Sequence, residues 1–408
     1  MDIEGLRRLK KEIWIWGAKN SGIDTANILK RYGISCAGFI DNSGIAKESI
    51  SSSSFFAKKK KEDVFVIIAS RQYYIDIESQ CQKFGLIKEQ GYTSCFDFLG
   101  PSYEIDLISC CNLRCPSCPQ GNYFVKLPAA KMTFDYFSKV VNKILEDTPL
   151  VSHVSLFCWS EPFLCNDLAK FIELLKEKNI SSQLSSNMSH LFDLEKVISA
   201  GIDYLRISVS GFFQETYVKD HAGGNIYLVK SNLYKLRYLL DKYKSSTYVE
   251  VVYHKYKYNC GDDLTKMKEL CEELRFSFAP FSVLPLPIEN ILSLRDGGII
   301  NSIGDMSRFL HDASRDICYL KKLNLDDCSS KDIIPILPDG KVLVCDFCYD
   351  INDSVISDDF LKISYDEIID AKRESGICLK CLKNNIPLLL NTIIDDTGND
   401  TKILYGRS

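Results

Sequence analysis

Three cysteines carry the strongest chemical signal in the chain. In the segment ISCCNLRCPSCPQGN, Cys111, Cys115 and Cys118 form a CxxxCxxC loop. Three thiolates so spaced can hold three irons of a 4Fe-4S cluster and leave the fourth iron open to a ligand, which is what a substrate-activating cluster requires. A structural zinc loop short of its fourth ligand, or free buried thiols, are the other readings. Cys110 reads as the last core-facing residue of the preceding strand, or else as a fourth ligand.

A second cysteine set lies near the C-terminus. In CSSKDIIPILPDGKVLVCDFC, Cys328 and Cys345 flank two apolar runs joined by an Asp-Gly turn at 339–340, the signature of a β-hairpin. GICLKC then adds Cys378 and Cys381, so four cysteines can close a complete metal site. Cys345, Cys348, Cys378 and Cys381 also read as CxxC…CxxC, a zinc-ribbon spacing.

Composition narrows the setting. The chain has 408 residues, 46% apolar and 25% charged, which is ordinary globular usage and long enough for two or three domains. Lys plus Arg number 50 against 54 Asp plus Glu, a net charge of -4, so there is no bulk attraction to nucleic acid or to an anionic membrane. The N-terminus MDIEGLRRLKKEIWIWG lacks the order of a signal peptide, and no apolar run reaches the roughly 18 residues of a membrane span. A soluble, cytoplasmic protein is expected. Seventeen cysteines in such a chain point to metal more than to disulfides.

The elements that must hold these cysteines follow from periodicity. An apolar strand at 12–16 (EIWIW), the turn GAKNSG, an amphipathic helix and a second strand at 36–40 ending at Asp41 make a βαβ unit. ESISSSSFFAKKKKED, 48–63, reads as a solvated loop before a strand at 64–69, with phosphate contact by Lys58–Lys61 as the minor reading. Gly100-Pro101 marks a boundary. Strands are then expected at 103–109, 152–158, 181–185, 203–209, 247–253 and 277–283, and helices at 133–147, 166–178, 191–200, 224–243 and 263–274. In the first of these helices Phe134, Phe137, Val141, Ile144 and Leu145 form one stripe. Six successive βα units suggest a partial parallel barrel, whose chemistry would sit at the strand C-termini, directly after which the first cysteine loop falls.

The string CNLRCPSC resembles the signature of the radical S-adenosylmethionine superfamily. The resemblance assigns Cys111, Cys115 and Cys118 to the cluster that binds S-adenosylmethionine, with Ser117 where an aromatic residue is frequent. LFCWSEPFLCNDL is similar to the family's GGEP segment and matches its methionine-binding acid at Glu161, with Trp159 and Ser160 in place of glycines. SSNMSHL supplies Ser186 and Asn187 beside the cofactor ribose. YLRISVSGFFQETYVKDHAGGN supplies Ser208 at the cofactor carboxylate and puts His221 near the place of a carboxylate-binding Arg, with Ser210 where Asp is usual. The C-terminal spacing resembles the twitch or truncated SPASM extension, which implies an auxiliary 4Fe-4S cluster on Cys328, Cys345, Cys378 and Cys381.

In the N-terminal unit, Gly17 and Gly22 of GAKNSG resemble a Rossmann fingerprint with Lys19 replacing the middle glycine, and Asp41 stands near the distance of a ribose-binding acid. Lys19 reads as a phosphate contact or a solvated turn residue. The unit also looks like the N-terminal domain of bacterial sugar-modifying acyltransferases, so NAD, a nucleotide-sugar or no ligand are all open there.

The expected fold class is therefore α/β in three parts: a Rossmann-like domain (1–100), a partial (β/α)6 TIM barrel (101–310) and a small cysteine-rich α+β, twitch-like domain (311–408). The resemblance implies an oxidoreductase of dehydrogenase or epimerase type, fed by a flavodoxin- or ferredoxin-type electron donor, that abstracts hydrogen from a small, sugar-like or nucleotide-linked substrate. A maturase of a ribosomally made peptide is the second reading, and a metal-binding scaffold or nucleotide sensor the non-enzymatic one. No residue is nominated as hydrogen donor or base.

Overall fold

The computed structural model describes residues 1–44, 49–122, 127–282, 286–289, 292, 328–384 and 386–387. Cys318 and the expected boundary at 310/311 lie outside these residues.

The first 100 residues build a five-stranded sheet from β1 (Glu12–Trp16), β2 (Cys36–Ile40), β3 (Ser49–Ile50), β4 (Val64–Ile68) and β5 (Tyr92–Ser94), in the order β3-β2-β1-β4-β5 with every pair parallel. Both faces are covered, which is why β1 and β4 read as unbroken apolar runs. Ile13, Ile15, Phe65 and Ile67 join one core with Ile28 and Leu29, while Trp14, Trp16, Val64, Val66 and Ile68 join another with Phe55 and Ile77. The stretch 48–63 is not wholly a solvated loop: it contains β3 and a helix, Ser52–Lys58. Ser51 caps that helix by accepting from the Ser54 N–H at 3.2 Å, and Phe55 is fully buried, so the serine run serves as a capping site.

The second sheet has nine strands. Six are parallel and neighbours in chain order: β6 (Ser102–Ile105), β7 (His153–Ser155), β8 (Ser181–Ser186), β9 (Tyr204–Ser208), β10 (Tyr248–Lys255) and β11 (Ser277–Ser282). Helices Phe134–Asp147, Leu168–Glu177, Leu194–Ala200, Ile226–Lys242 and Asp262–Glu273 connect them, the layout of a partial barrel. A further helix, Gln214–Asp220, precedes Ile226 and is not foreseen from periodicity, being only seven residues long. Alternate strand residues (Tyr103, Ile105, Val154, Leu184, Leu205, Ile207, Val249, Val251) pack outward in one core with Phe137, Val141, Ile144, Leu168, Ile172 and Leu233. Phe134 is 43% exposed and leaves the stripe, its place taken by the fully buried Val140.

The cysteine-rich segment is not a detached unit. β12 (Ile333–Ile336) pairs in parallel with β6, and β13 (Val342–Leu343) and β14 (Val355–Ser357) continue antiparallel, giving the order β11-β10-β9-β8-β7-β6-β12-β13-β14. An open barrel leaves β6 with a row of unpaired backbone groups, and β12 covers them. The expected hairpin is present: Ile336 faces Val342, Leu337 N–H donates to the Lys341 carbonyl at 2.8 Å, and Gly340 takes the positive φ of +91° that the turn needs.

The N-terminal unit docks under the barrel through one helix, Asn20–Arg31. Its Asn27 Nδ2 donates to Ser181 Oγ (2.8 Å), Arg31 donates to the Val151 carbonyl (2.9 Å), Lys19 pairs with Glu250 (3.3 Å), and the buried Asp24 carboxylate meets His153 Nδ1 at 2.8 Å. His153 and Ser181 are the first residues of their strands, so the contact lies at the end opposite the strand C-termini. We predict that Asp24→Ala lowers unfolding stability by about 1–3 kcal/mol, as expected for stripping a buried polar partner. In urea titrations, His153→Ala in that background should add little further loss. Additive losses would show that the two side chains do not act as a pair.

Candidate functional site

The cysteine loop lies beyond β6, whose last residue is Ile105, and is folded tightly upon itself. Cys118 N–H donates to the Cys115 carbonyl (3.2 Å) and Gly121 N–H to the Cys118 carbonyl (2.9 Å). A Cβ on Gly121 would stand 2.4 Å from the Cys115 carbonyl oxygen, so only glycine fits there. The carboxylate of Asp106, fully buried, accepts the N–H groups of Cys158 (2.8 Å), Trp159 (3.0 Å) and Ser160 (3.2 Å) and the Ser160 hydroxyl (2.5 Å). That grip ends β7 at Ser155, shorter than the run 152–158, and turns the chain toward Glu161.

Glu161 is 2% exposed. Its N–H donates to the Cys110 carbonyl (3.0 Å), and its carboxylate accepts from Ser186 Oγ (2.9 Å), Asn187 N–H (2.9 Å) and Phe163 N–H (3.2 Å). A carboxylate offers about four acceptor positions, so one is left toward an ammonium group. Ser186 and Asn187, at the end of β8, are thereby tied to Glu161. Asn187 Nδ2 donates to Asn112 Oδ1 (3.1 Å) and points at Cys111 Sγ (3.8 Å). Ser208 ends β9 half-buried.

The segment 220–222 runs along the cysteine loop and touches it at three successive places. Asp220 Oδ1 accepts from Ser117 Oγ (2.6 Å), His221 Nδ1 stands 3.9 Å from Cys115 Sγ, and the Ala222 carbonyl accepts the Arg114 N–H (3.0 Å). Asp220 Oδ1 also accepts from the Tyr256 hydroxyl (2.5 Å). His221, expected near the cofactor carboxylate, is 3% exposed; its Nε2 accepts the Ser210 N–H at 3.0 Å and lies 3.7 Å from Asp220 Oδ2, and burial pushes its pKa down against the Asp220 charge. Ser117 replaces the expected aromatic residue with a hydroxyl whose partner is Asp220. Asp220 and Tyr256 do not stand out in the sequence, because Ser117, which donates to Asp220, lies 103 residues upstream, and Tyr256 joins the site through Asp220, 36 residues before it.

Burial pushes all three loop thiols up, Cys118 to about 11, with Cys111 and Cys118 adding to the effect on Cys115. Three thiols in one loop, with an amide and an imidazole directed at two of the sulfurs, fit an iron-sulfur cluster, whose charge would draw off the protons. Among the described residues no three His, Cys, Asp or Glu side chains already stand in coordinating geometry.

At the C-terminal set, Cys345, Cys348 and Cys381 are buried and share one apolar cluster with Cys378. Burial pushes the Cys381 thiol up, with Cys328, Cys378 and Cys348 adding to it, and Cys348 pushes the Cys345 thiol up. The structure thus brings Cys348 in with the other four. The Trp159 indole N–H donates to the Cys348 carbonyl (3.2 Å) and the ring meets Tyr349 edge-on at 5.8 Å, so the residue that departs from glycine joins the two cysteine regions.

The N-terminal turn is differently employed. Gly17 has φ +109°, and a Cβ on Gly22 would lie 1.9 Å from the Gly17 carbonyl oxygen, so both glycines serve close packing of turn on helix. Asp41 accepts from Ala18 N–H (3.3 Å) and Ser43 N–H (2.8 Å), bracing the loop itself. Lys19 is exposed, as a solvated turn residue would be, and its ammonium pairs with Glu250.

Burial pushes the Glu161 carboxyl from about 4.5 to about 7, against the hydrogen bonds of Asn187, Ser186 and Phe163. A raised folded-state pKa means stability that is fully present below about 4.5 and is lost as pH rises through about 7, at most roughly 3 kcal/mol. The cofactor-free protein should therefore lose stability between those pH values, and Glu161→Gln should flatten that slope in denaturant titrations run at several pH values. Parallel slopes in the two proteins would refute the assignment.

No protein-family model and no curated protein matches the sequence. Among solved structures the chain is similar to Streptococcus suis SuiB bound to S-adenosylmethionine, at 11% identity over 74% of this chain and 70% of that one, TM-score 0.47. It is similar to native anSMEcpe with bound AdoMet at 18% identity over 69% and 82%, TM-score 0.45, and to BtrN in complex with AdoMet and 2-DOIA at 15% over 70% and 86%, TM-score 0.40. These likenesses are remote. The CxxxCxxC loop thus lies beyond the C-terminal end of the first of six parallel strands, and the Glu161, Ser186-Asn187 and Ser208 segments follow on the next three in order.

Proposed function

We propose that this chain is a radical S-adenosylmethionine oxidoreductase acting on a small polar substrate, with a second iron-sulfur cluster on Cys328, Cys345, Cys378 and Cys381. The observation that carries the proposal is the clamp of Asn187 and the 220–222 segment on the Cys111–Cys118 loop. When bound, the cluster, reduced by a flavodoxin- or ferredoxin-type donor, would supply the electron that breaks the cofactor's sulfonium bond and releases a 5'-deoxyadenosyl radical. The chain's own share is binding, orientation and exclusion of water. Cys111, Cys115 and Cys118 hold the iron, Glu161 offers its remaining acceptor position to the cofactor's amino group, and Ser186, Asn187 and Ser208 line the adjoining strand ends.

The inner face of the strands favours a polar substrate. It carries Glu104, Gln183, Ser185, Arg206 and Ser208, the residues that alternate with the outward apolar ones. Burial, and then the neighbouring Asp346, push the Glu104 carboxyl well above its usual range, while the Arg206 charge acts the other way. Asp346 adjoins Cys345 and acts on Glu104, which supports a second cluster beside this face, where a fully ligated cluster can pass electrons. Oxidation or epimerisation of a sugar-like alcohol suits such a face.

The strand order β3-β2-β1-β4-β5 supports a Rossmann-like reading of the N-terminal unit. Its docking through Asp24, Asn27, Arg31 and Lys19 supports a role as a base to the barrel.

The test is anaerobic reconstitution of wild type and of a Cys111→Ala, Cys115→Ala, Cys118→Ala variant. Expected are about eight irons in the first and about four in the second, with 5'-deoxyadenosine formed from S-adenosylmethionine under dithionite only by the wild type. No 5'-deoxyadenosine from a protein holding both clusters would support a scaffold. About four irons falling to none, with one zinc retained, would make the C-terminal site structural.

A further inference from the structure

His221 sits against the cysteine loop in a geometry that fixes where its proton is. The Ser210 backbone N–H points at Nε2 from 3.0 Å. An amide N–H only donates, so Nε2 must be the bare, accepting nitrogen. The ring is then neutral with its hydrogen on Nδ1, and Nδ1 is the atom 3.9 Å from Cys115 Sγ. The tautomer is thus assigned from hydrogen-bond geometry.

The ring has little freedom to do anything else. It is 3% exposed and stacks on Tyr217 at 4.6 Å and 18°. Ser210, which orients it, is itself held: its carbonyl accepts from Asn259 Nδ2 (3.1 Å) and its hydroxyl accepts the His254 N–H (3.3 Å). On either side of His221, Asp220 and Ala222 are bonded to Ser117 and to the Arg114 N–H. An imidazole pinned at both nitrogens and on one face delivers a fixed N–H to one sulfur.

We infer that His221 is a hydrogen-bond donor to the Cys115 thiolate that raises the reduction potential of the cluster held by Cys111, Cys115 and Cys118. This rests on the proposed function, since it presumes that cluster. The physical reason is that adding an electron increases negative charge on the sulfurs, so a donor N–H stabilises the reduced form more than the oxidised one; hydrogen bonds to sulfur are among the determinants of iron-sulfur potentials. His221 is a positioning and tuning residue that touches a cluster ligand. Asn187 Nδ2 approaches Cys111 similarly, but it is shared with Asn112 Oδ1, whereas His221 has one acceptor to serve.

Two substitutions separate donation from mere packing. His221→Asn places its amide N–H near the position of Nδ1 and keeps the donor to Cys115. His221→Gln places its amide near Nε2, keeps an acceptor for Ser210 and loses the donor. Reconstituted wild type and both variants are titrated with a reductant series and followed by electron paramagnetic resonance, taking the signal that S-adenosylmethionine perturbs; iron content is measured on the same samples. The expected result is a midpoint unchanged in His221→Asn and lower in His221→Gln by about 59 mV, a tenfold loss in reduced-to-oxidised ratio for one electron. Equal midpoints in the two variants at equal iron content would overturn the inference and leave the family assignment intact. A wild type with no S-adenosylmethionine-sensitive signal would overturn both.

Discussion

The site depends on one buried carboxylate. Asp106, placed at the end of β6, takes three consecutive backbone N–H groups and a hydroxyl from residues 158–160. A buried carboxylate without such donors would be costly, and so would three N–H groups turned away from their strand. Joined, they offset one another and force the sharp departure of the chain after β7. Glu161 is delivered by that turn, binds Cys110, Ser186 and Asn187, and through Asn187 reaches Cys111. A single acceptor at one strand end thus sets the geometry of three strand ends and of the loop above them.

The same turn links the two cysteine sets. Trp159 follows the Asp106 grip and projects its indole onto the Cys348 carbonyl and the Tyr349 ring. Tyr349 in turn donates its hydroxyl to Gln120 Oε1 at 2.6 Å, and Gln120 Nε2 donates to the Ser109 carbonyl at 3.0 Å, so the connection returns to the first loop. Together with β12 on the edge of β6, this makes the C-terminal extension part of the wall of the barrel. Glycines at 159 and 160 could form the turn but could not make that bridge, which gives a physical reason for the departure from the GGEP pattern that the segment resembles.

Local features are legible in the sequence, and long-range ones are not. The outward residues of β8, β9 and β10 alternate or run apolar, and the helices near 133–147 and 166–178 repeat at three and four, so periodicity places their ends within a few residues. The cysteine loop is legible because its ligands are adjacent. Asp106 reads as a polar residue in a strand, since its partners lie more than 50 residues on. Asp220 and Tyr256 belong to no local pattern at all. The chain position of His221 sets it in the right neighbourhood but suggests a cation there; only Ser210 and Cys115, on either side of the ring, reveal a neutral donor.

The two ends of the barrel are separated by the length of strands such as β8 and β9, six and five residues, roughly 17–20 Å. The cysteine loop, Glu161 and Asn187 lie at the C-terminal ends. The Gly17–Gly22 turn lies at the other end, where Lys19 meets Glu250 and the stacked rings of Tyr204 and Tyr248 (5.9 Å, 4°) stand across the strand starts. The Tyr204 hydroxyl donates to the same Glu250 (2.5 Å), so this end is filled by packed and bonded side chains. A nucleotide held at that turn would have the whole sheet between it and the cysteine loop. The substrate proposed above would therefore meet the inner face and the strand ends themselves, with side chains such as Glu104, Gln183 and Arg206, while the N-terminal unit holds Asp24, Asn27 and Arg31 against the strands from below.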